Sequence, residues 1–119
     1  MGNKYKPACP QASRYTGASK MIPEIDEDCL YVNVFTPFAA NTLQNPYTVM
    51  VYIHGGDFAH GSGNTFPGYM LSMYQEVVVV TFNYRLGLFG FFATGDHHSP
   101  GNYGLLDQVA LLNWVKGLW

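Results

Sequence analysis

Residues 49–56 read VMVYIHGG, and this short stretch determines what the chain can fold into. Residues 49–53 are continuously apolar and mostly β-branched or aromatic, which predicts a strand buried on both faces. The strand runs into His54, Gly55 and Gly56, where two successive glycines permit backbone conformations that other residues avoid. The stretch therefore predicts a buried strand that ends in a loop with sharp turns.

Two further strands are predicted on either side of this stretch. Residues 30–35 alternate in polarity and are rich in β-branched side chains, and Pro37 ends them, which favours a strand with one wetter face. Residues 77–82 read VVVVTF and predict a second strand buried on both faces. A short helix over residues 69–74 is expected between the two buried strands. This order of elements is typical of the α/β fold class.

A helical pattern closes the chain. Glycines punctuate residues 87–101 and predict a long loop there. Residues 104–116 then follow a helical period, with Asn102 as a plausible N-cap. Three apolar residues of this helix share one face, which predicts the side that packs on the core: Leu105, Val109 and Leu112.

The composition restricts the kind of protein. The chain has 119 residues, of which 48% are hydrophobic and 12% charged, whereas about 25% are charged in an ordinary soluble domain. We therefore expect an interior slice of a larger domain. The net charge of −2 supplies no basic field for nucleic acid. The run 77–82 is too short to cross a bilayer, and no apolar stretch follows Met1 to act as a signal peptide.

The loop after the strand at residues 49–53 is the segment that points to chemistry. Acyl transfer needs backbone N–H groups that converge on the oxygen of a tetrahedral intermediate. A His-Gly-Gly loop after a central strand provides such donors in α/β-hydrolases, opposite the nucleophile elbow. Taken alone, two glycines after a strand more often form an ordinary turn.

A series of further motifs, in order along residues 9–116, identifies a family. The chain resembles the type-B carboxylesterase family, which includes carboxylesterases, cholinesterases, bile-salt lipases and the non-catalytic neuroligin-like adhesion proteins. The resemblance lies in CPQ at residues 9–11, EDCLYVNV at 27–34, residues 49–58, NYRLG at 83–87, GF at 90–91, TGD at 94–96 and GNYGLLDQ at 101–108.

The resemblance implies a fold and a set of site residues. The fold would be part of an α/β-hydrolase, a mixed, mostly parallel sheet flanked by helices. The backbone N–H groups of Gly56 and Asp57 would be oxyanion donors, with His54 and Gly55 supporting the loop. Two residue pairs would be structural, Cys9–Cys29 as a disulfide and Arg85–Asp107 as a buried ion pair. Spacing alone leaves the cysteine pairing about even between disulfide and free thiols.

Asp57 departs from the pattern, since most active esterases of the family have Gly or Ala there. A carboxylate about 4 Å from the oxyanion would cost roughly 4 kcal/mol at an effective dielectric near 20. That corresponds to about a thousandfold in rate. The penalty disappears if the side chain is solvated or protonated, and a third alternative is that Asp57 orients a water molecule.

The chain contains no nucleophile of the family type. None of its five serines lies in Gly-x-Ser-x-Gly, and Ser62, between two glycines, lacks the strand–elbow–helix context. We therefore expect residues 1–119 to be a partial carboxylesterase type-B domain. It would lack the first strands and everything from the nucleophile elbow onward, including the triad acid and histidine. The chain alone is expected to be inactive.

Two function classes remain open for the parent protein. The first is a serine esterase or lipase that hydrolyses a small carboxylic ester. The alternative is a neuroligin-like module that binds a cell-surface protein. The family implies a secreted protein or one at the extracellular face of the plasma membrane. No cofactor is expected, and the spacings of His54, Asp57 and His60 or of residues 96–98 match no standard metal site.

Overall fold

The computed structural model describes residues 4–12, 14, 21–38 and 46–118. Within these residues the chain forms three strands, β1 (Val32–Phe35), β2 (Val49–Tyr52) and β3 (Val78–Phe82). Three α-helices accompany them, α1 (Gly68–Gln75), α2 (Gly87–Phe91) and α3 (Tyr103–Leu118), together with a short 3-10 helix, Gly63–Thr65. Asn41, Asn45 and Pro46 predict a loop at residues 38–47, which lies mostly outside the described residues, as do Ser13 and Ser19.

The three strands form one mixed sheet in the order β1-β3-β2. β3 is antiparallel to β1, with Val34 opposite Val80, and parallel to β2, with Val51 opposite Val80. All five residues of β3 are buried, as expected for a central strand. A mixed sheet with flanking helices confirms the predicted α/β fold class.

The prediction that residues 49–53 are buried on both faces is wrong for the described structure. β2 lies at an edge of the sheet, and the side chains of Met50 and Ile53 are 45% and 44% exposed. The aromatic ring of Tyr52 is covered instead by Phe66, at a centroid distance of 4.0 Å. Burial on both faces needs a covering layer on each side, and a strand's own sequence does not determine whether both layers are present.

The predicted core face of α3 is also wrong. Leu105, Val109 and Leu112 are exposed, whereas the helix packs through Gly104 and Val115. Val115 clusters with Val78 and Val80 of β3. Because α3 is apolar nearly all round, its sequence allows more than one packing face. The observed packing face includes Gly104, where a Cβ would meet the Arg85 carbonyl and the Phe91 ring.

The long loop expected over residues 87–101 contains a helix, α2. The sequence did not indicate this helix, because the glycines within it have a low helix propensity. Gly90 has a packing reason, since a Cβ at this position would meet the carbonyl of Arg85. α2 thereby lies close against the end of β3, beside the loop that follows β2.

A disulfide ties the segment around Cys9 to the core. Cys9 and Cys29 are bonded, with an S–S distance of 2.01 Å, and both are almost completely buried. They pack in one cluster with Phe82, Tyr84 and Leu86 at the end of β3. The pairing implied by the family resemblance is therefore confirmed.

Candidate functional site

The candidate site is the loop of residues 54–61, here called the glycine loop, which leaves the end of β2. Its backbone has positive φ at four positions: Gly56 (126°), Asp57 (54°), Phe58 (57°) and Gly61 (117°). Left-handed geometry costs an L-residue about 1–2 kcal/mol, so the surroundings must hold Asp57 and Phe58 in place.

Hydrogen bonds and ring contacts keep the loop in this conformation. The carbonyl of Gly56 accepts from the N–H groups of Ala59 and His60, at 2.9 and 3.1 Å. The carbonyl of Phe58 accepts from the N–H of Gly87 at the start of α2, at 2.8 Å. The Phe58 ring contacts the edge of the Phe91 ring at a centroid distance of 5.1 Å. The loop is thus a closed turn fastened to α2.

His54 is buried at the base of this turn. Its ring stacks on Tyr84 at 4.3 Å, and the Tyr84 hydroxyl donates to the His54 carbonyl at 2.7 Å. His54 Nδ1 lies 2.9 Å from the carbonyl oxygen of Gly55, which can only accept, so Nδ1 carries the proton. Burial lowers the pKa of His54, outweighing the opposing effect of the Gly55 carbonyl, and nearby His60 lowers it further. His54 is therefore neutral near pH 7.

The N–H groups of Gly56 and Asp57 have no hydrogen-bond acceptor within the part of the chain that the structure describes. Both residues line an open cleft of about 370 Å³, together with Ile53, His54, Gly55, Phe58, Tyr84, Leu105 and Gln108. Backbone donors without a protein partner are hydrogen-bonded to water or to a ligand. These two adjacent donors are therefore available to water or to a ligand at the cleft.

The side chain of Asp57 is exposed to solvent. Across the described residues, its carboxylate has neither a hydrogen bond nor an ion pair. Of the alternatives open at the sequence level, this geometry agrees with a solvated carboxylate.

The residues Arg85 and Asp107 form a two-pronged ion pair between the end of β3 and α3. Arg85 Nη2 donates to Asp107 Oδ1 at 2.7 Å, and Nε donates to Oδ2 at 2.9 Å. The backbone N–H of Arg85 also donates to Oδ2, at 2.9 Å. The hydrogen bonding of the Arg85 side chain to the Asp107 carboxylate is the main cause that raises the pKa of Arg85. The pair fastens α3 to the sheet, next to the cleft.

Other polar candidates have structural surroundings. Ser62 is fully buried, and its hydroxyl donates to Asn83 Oδ1 at 2.9 Å, so it is held as a cap of the 3-10 helix and not as a nucleophile. Asp96 pairs with His98 at 3.0 Å on an exposed turn. The Thr94 hydroxyl, and then the His98 N–H, lower the pKa of Asp96. Among the described residues, no three His, Cys, Asp or Glu side chains are grouped as metal ligands would be.

Two residues that hold the site were not singled out as site residues from the sequence, Asn83 and Gln11. The Asn83 side chain accepts from Ser62 and from the Gly63 N–H, and donates to the Pro7 and Cys29 carbonyls. Gln11 hydrogen-bonds to Gly61 at the far end of the glycine loop. The signal for Asn83 was a polar residue directly after a buried strand, and Gln11 belongs to the CPQ motif.

Comparison with known proteins identifies the family to which the chain is related. The model of the carboxylesterase family matches residues 1–117. The chain is 48% identical to rat (Rattus norvegicus) carboxylesterase 1D over 94% of its own length and 21% of that protein. It is 47% identical to rabbit (Oryctolagus cuniculus) liver carboxylesterase 1, with the same coverage of both chains.

The structural comparison agrees. A solved thermophilic PNB esterase superposes with a TM-score of 0.82 and 47% identity, over 93% of this chain and 23% of that one. The chain therefore spans about a fifth of the length of the proteins it matches. On the family match, the sequence identity and the shared fold, the chain belongs to the carboxylesterase family.

Proposed function

We propose that this chain supplies the oxyanion loop of a serine carboxylic-ester hydrolase. The observation that carries the proposal is the pair of unpaired backbone donors, Gly56 and Asp57, at the cleft beside β2. Donors of this kind stabilise the negative oxygen of a tetrahedral intermediate, because they are already oriented before charge develops. The relatives named carboxylesterase and esterase support the same class of reaction.

In this mechanism four residues of the glycine loop take part. Gly55 and Gly56 leave the approach to the backbone open, and the Gly56 and Asp57 N–H groups donate to the carbonyl oxygen of the ester. His54 does not exchange protons with the substrate. It supports the turn by stacking on Tyr84 and by donating to the Gly55 carbonyl. The nucleophile, the general base and a third oxyanion donor belong to segments outside this chain.

The proposal extends to substrate, partners and compartment. The substrate is a small carboxylic ester, and the chemistry needs no cofactor. The relatives named above are esterases, so they give no support to the cell-adhesion alternative. A buried disulfide favours folding in an oxidising compartment, which agrees with a secreted or cell-surface location. None of the helices in the described part of the chain is long and apolar enough to cross a membrane.

A chimaera tests the proposal. Residues 9–117 of this chain would replace the matching segment of the PNB esterase, which is 47% identical and has a closely similar fold. We expect the purified chimaera to hydrolyse a p-nitrophenyl ester and to be inhibited by an organophosphate. The 119-residue chain alone is expected to show no turnover. A folded but inactive chimaera would contradict the proposed function, and organophosphate-sensitive turnover by the chain alone would contradict its predicted inactivity.

The substitution Asp57→Asn in the chimaera tests the effect of the carboxylate. Because the side chain is exposed, we expect the unfavourable charge interaction to be near its value in water, about 1 kcal/mol at 4 Å. Removing it should raise kcat by up to about fivefold. Asn keeps the left-handed backbone accessible. The same charge change at exposed Glu76, in Glu76→Gln, should leave kcat unaltered. A fall in kcat, or a hundredfold rise, would contradict a solvated Asp57.

A further inference from the structure

We propose that Gln11 is the positioning residue of the glycine loop, holding its far end by pairing with the backbone of Gly61 as another strand would. This inference rests on the proposed function, in which the loop carries the oxyanion donors. Gln11 lies 50 residues from Gly61 in the sequence, so the contact is a tertiary one.

The pairing uses both ends of the glutamine amide. Gln11 Nε2 donates to the Gly61 carbonyl at 2.8 Å, and Gln11 Oε1 accepts from the Gly61 N–H at 2.8 Å. The second hydrogen of Nε2 is directed to the Cys9 carbonyl at 3.1 Å. The donor and the acceptor of Gly61 are thus satisfied by one side chain. An uncharged amide is the side chain that offers an acceptor and two donors at this spacing.

Gly61 connects Gln11 to the part of the glycine loop that carries the proposed oxyanion donors. A Cβ at Gly61 would meet Nδ1 of His54 and the carbonyl of Gly55, so the two ends of the loop are in direct contact. A shift of Gly61 would therefore move His54 and Gly55. These residues immediately precede Gly56, whose own carbonyl is tied to Ala59 and His60.

Gln11 itself is firmly anchored. It lies two residues after Cys9, whose disulfide to Cys29 is buried in the core. Directly after Gly61, the Ser62 hydroxyl and the Gly63 N–H donate to the Asn83 side chain. The same side chain donates to the Cys29 carbonyl. The residues around the Cys9–Cys29 disulfide therefore hold the end of the glycine loop through two contacts, Gln11 and Asn83. Gln11 is the contact nearer to the oxyanion donors.

The hydrogen-bond premise is tested by amide hydrogen exchange on the ¹⁵N-labelled chain. Gln11→Met keeps the length of the side chain but removes its donors and acceptor, so we expect the Gly61 amide to exchange at least about tenfold faster. Gln11→Glu keeps an acceptor and should leave the Gly61 amide protected. Gln75→Met, at an exposed position ending α1, is the matched control and should change nothing in the loop. A Gly61 amide that stays slow in Gln11→Met would overturn the proposal.

The positioning role is tested by kinetics in the esterase chimaera. We expect Gln11→Met to lower kcat by about tenfold or more with KM changed less than about twofold, because displaced donors lose transition-state contacts before ground-state binding. Gln11→Glu, which loses both donors, should lower kcat as well and replaces Gln11→Met if that variant fails to fold. Gln75→Met should keep both constants.

The outcomes separate the two proposals. Unchanged kcat together with a fast Gly61 amide would overturn the positioning role and leave the proposed function standing. An inactive chimaera before any substitution at Gln11 would sink the proposed function and the catalytic consequence of Gln11 with it. The exchange experiment would still decide whether Gln11 holds Gly61.

Discussion

Gly56→Ala in the esterase chimaera is expected to lower kcat by about 100- to 1,000-fold, the effect of losing one oxyanion donor. Gly56 has φ 126°, a backbone conformation that is essentially restricted to glycine. An added Cβ would also meet the carbonyl of His60, which forms the far side of the turn. The backbone must therefore shift, and the N–H groups of residues 56 and 57 move with it.

The neighbouring glycine provides a matched control. Gly55 does not have positive φ, and a Cβ added there meets no atom within 4 Å. Gly55→Ala should thus leave the free energy of unfolding within about 0.5 kcal/mol of the parent value. The same measurement on Gly56→Ala separates misplaced donors from global unfolding. Retention of more than a third of the parental kcat in a folded Gly56→Ala variant would contradict the assigned role.

Asp107→Ala is expected to lower the free energy of unfolding by about 3 kcal/mol, because it removes three hydrogen bonds to a charged group and leaves Arg85 unpaired. The Asp107 side chain is only 8% exposed. Arg85 is 37% exposed, so water can partly solvate it, which limits the loss. Urea unfolding of the chain measures the effect. Lys116→Ala, an exposed charge on the same helix, should cost less than about 1 kcal/mol.

A double-mutant cycle sharpens this prediction. If the pair acts as a unit, Arg85→Ala and Asp107→Ala together should cost at least about 1 kcal/mol less than the sum of the single losses. Additive losses would show that the two side chains act independently. That result would contradict the account of α3 as a helix fastened through this pair.

Sequence patterns predicted the positions of the strands and helices better than they predicted which faces of these elements are buried. The buried strand at residues 77–82 was recovered because its apolar run is local information. The edge position of β2 and the packing face of α3 were not, because both depend on what lies opposite. For α3, Leu105 and Val115 are equally apolar, but Val115 packs against β3 whereas Leu105 is exposed.

The site shows the same division. The sequence predicted sharp turns at the glycines of the loop, because glycine is the residue that most readily adopts positive φ. The pairing of Gln11 with Gly61 was not, because it joins residues far apart in sequence through a side chain that imitates backbone. The Cys9–Cys29 bond was reached only through family resemblance. The solvated state of Asp57 likewise depends on tertiary placement.

The most direct test of the central claim is a crystal structure of the esterase chimaera inhibited by an organophosphate. The phosphoryl oxygen of the adduct stands in for the oxyanion of the tetrahedral intermediate. We expect it to lie about 2.7–3.1 Å from the backbone nitrogens of both Gly56 and Asp57. A phosphoryl oxygen that is bound elsewhere, with both N–H groups directed to water, would contradict the assignment of the glycine loop as the oxyanion loop.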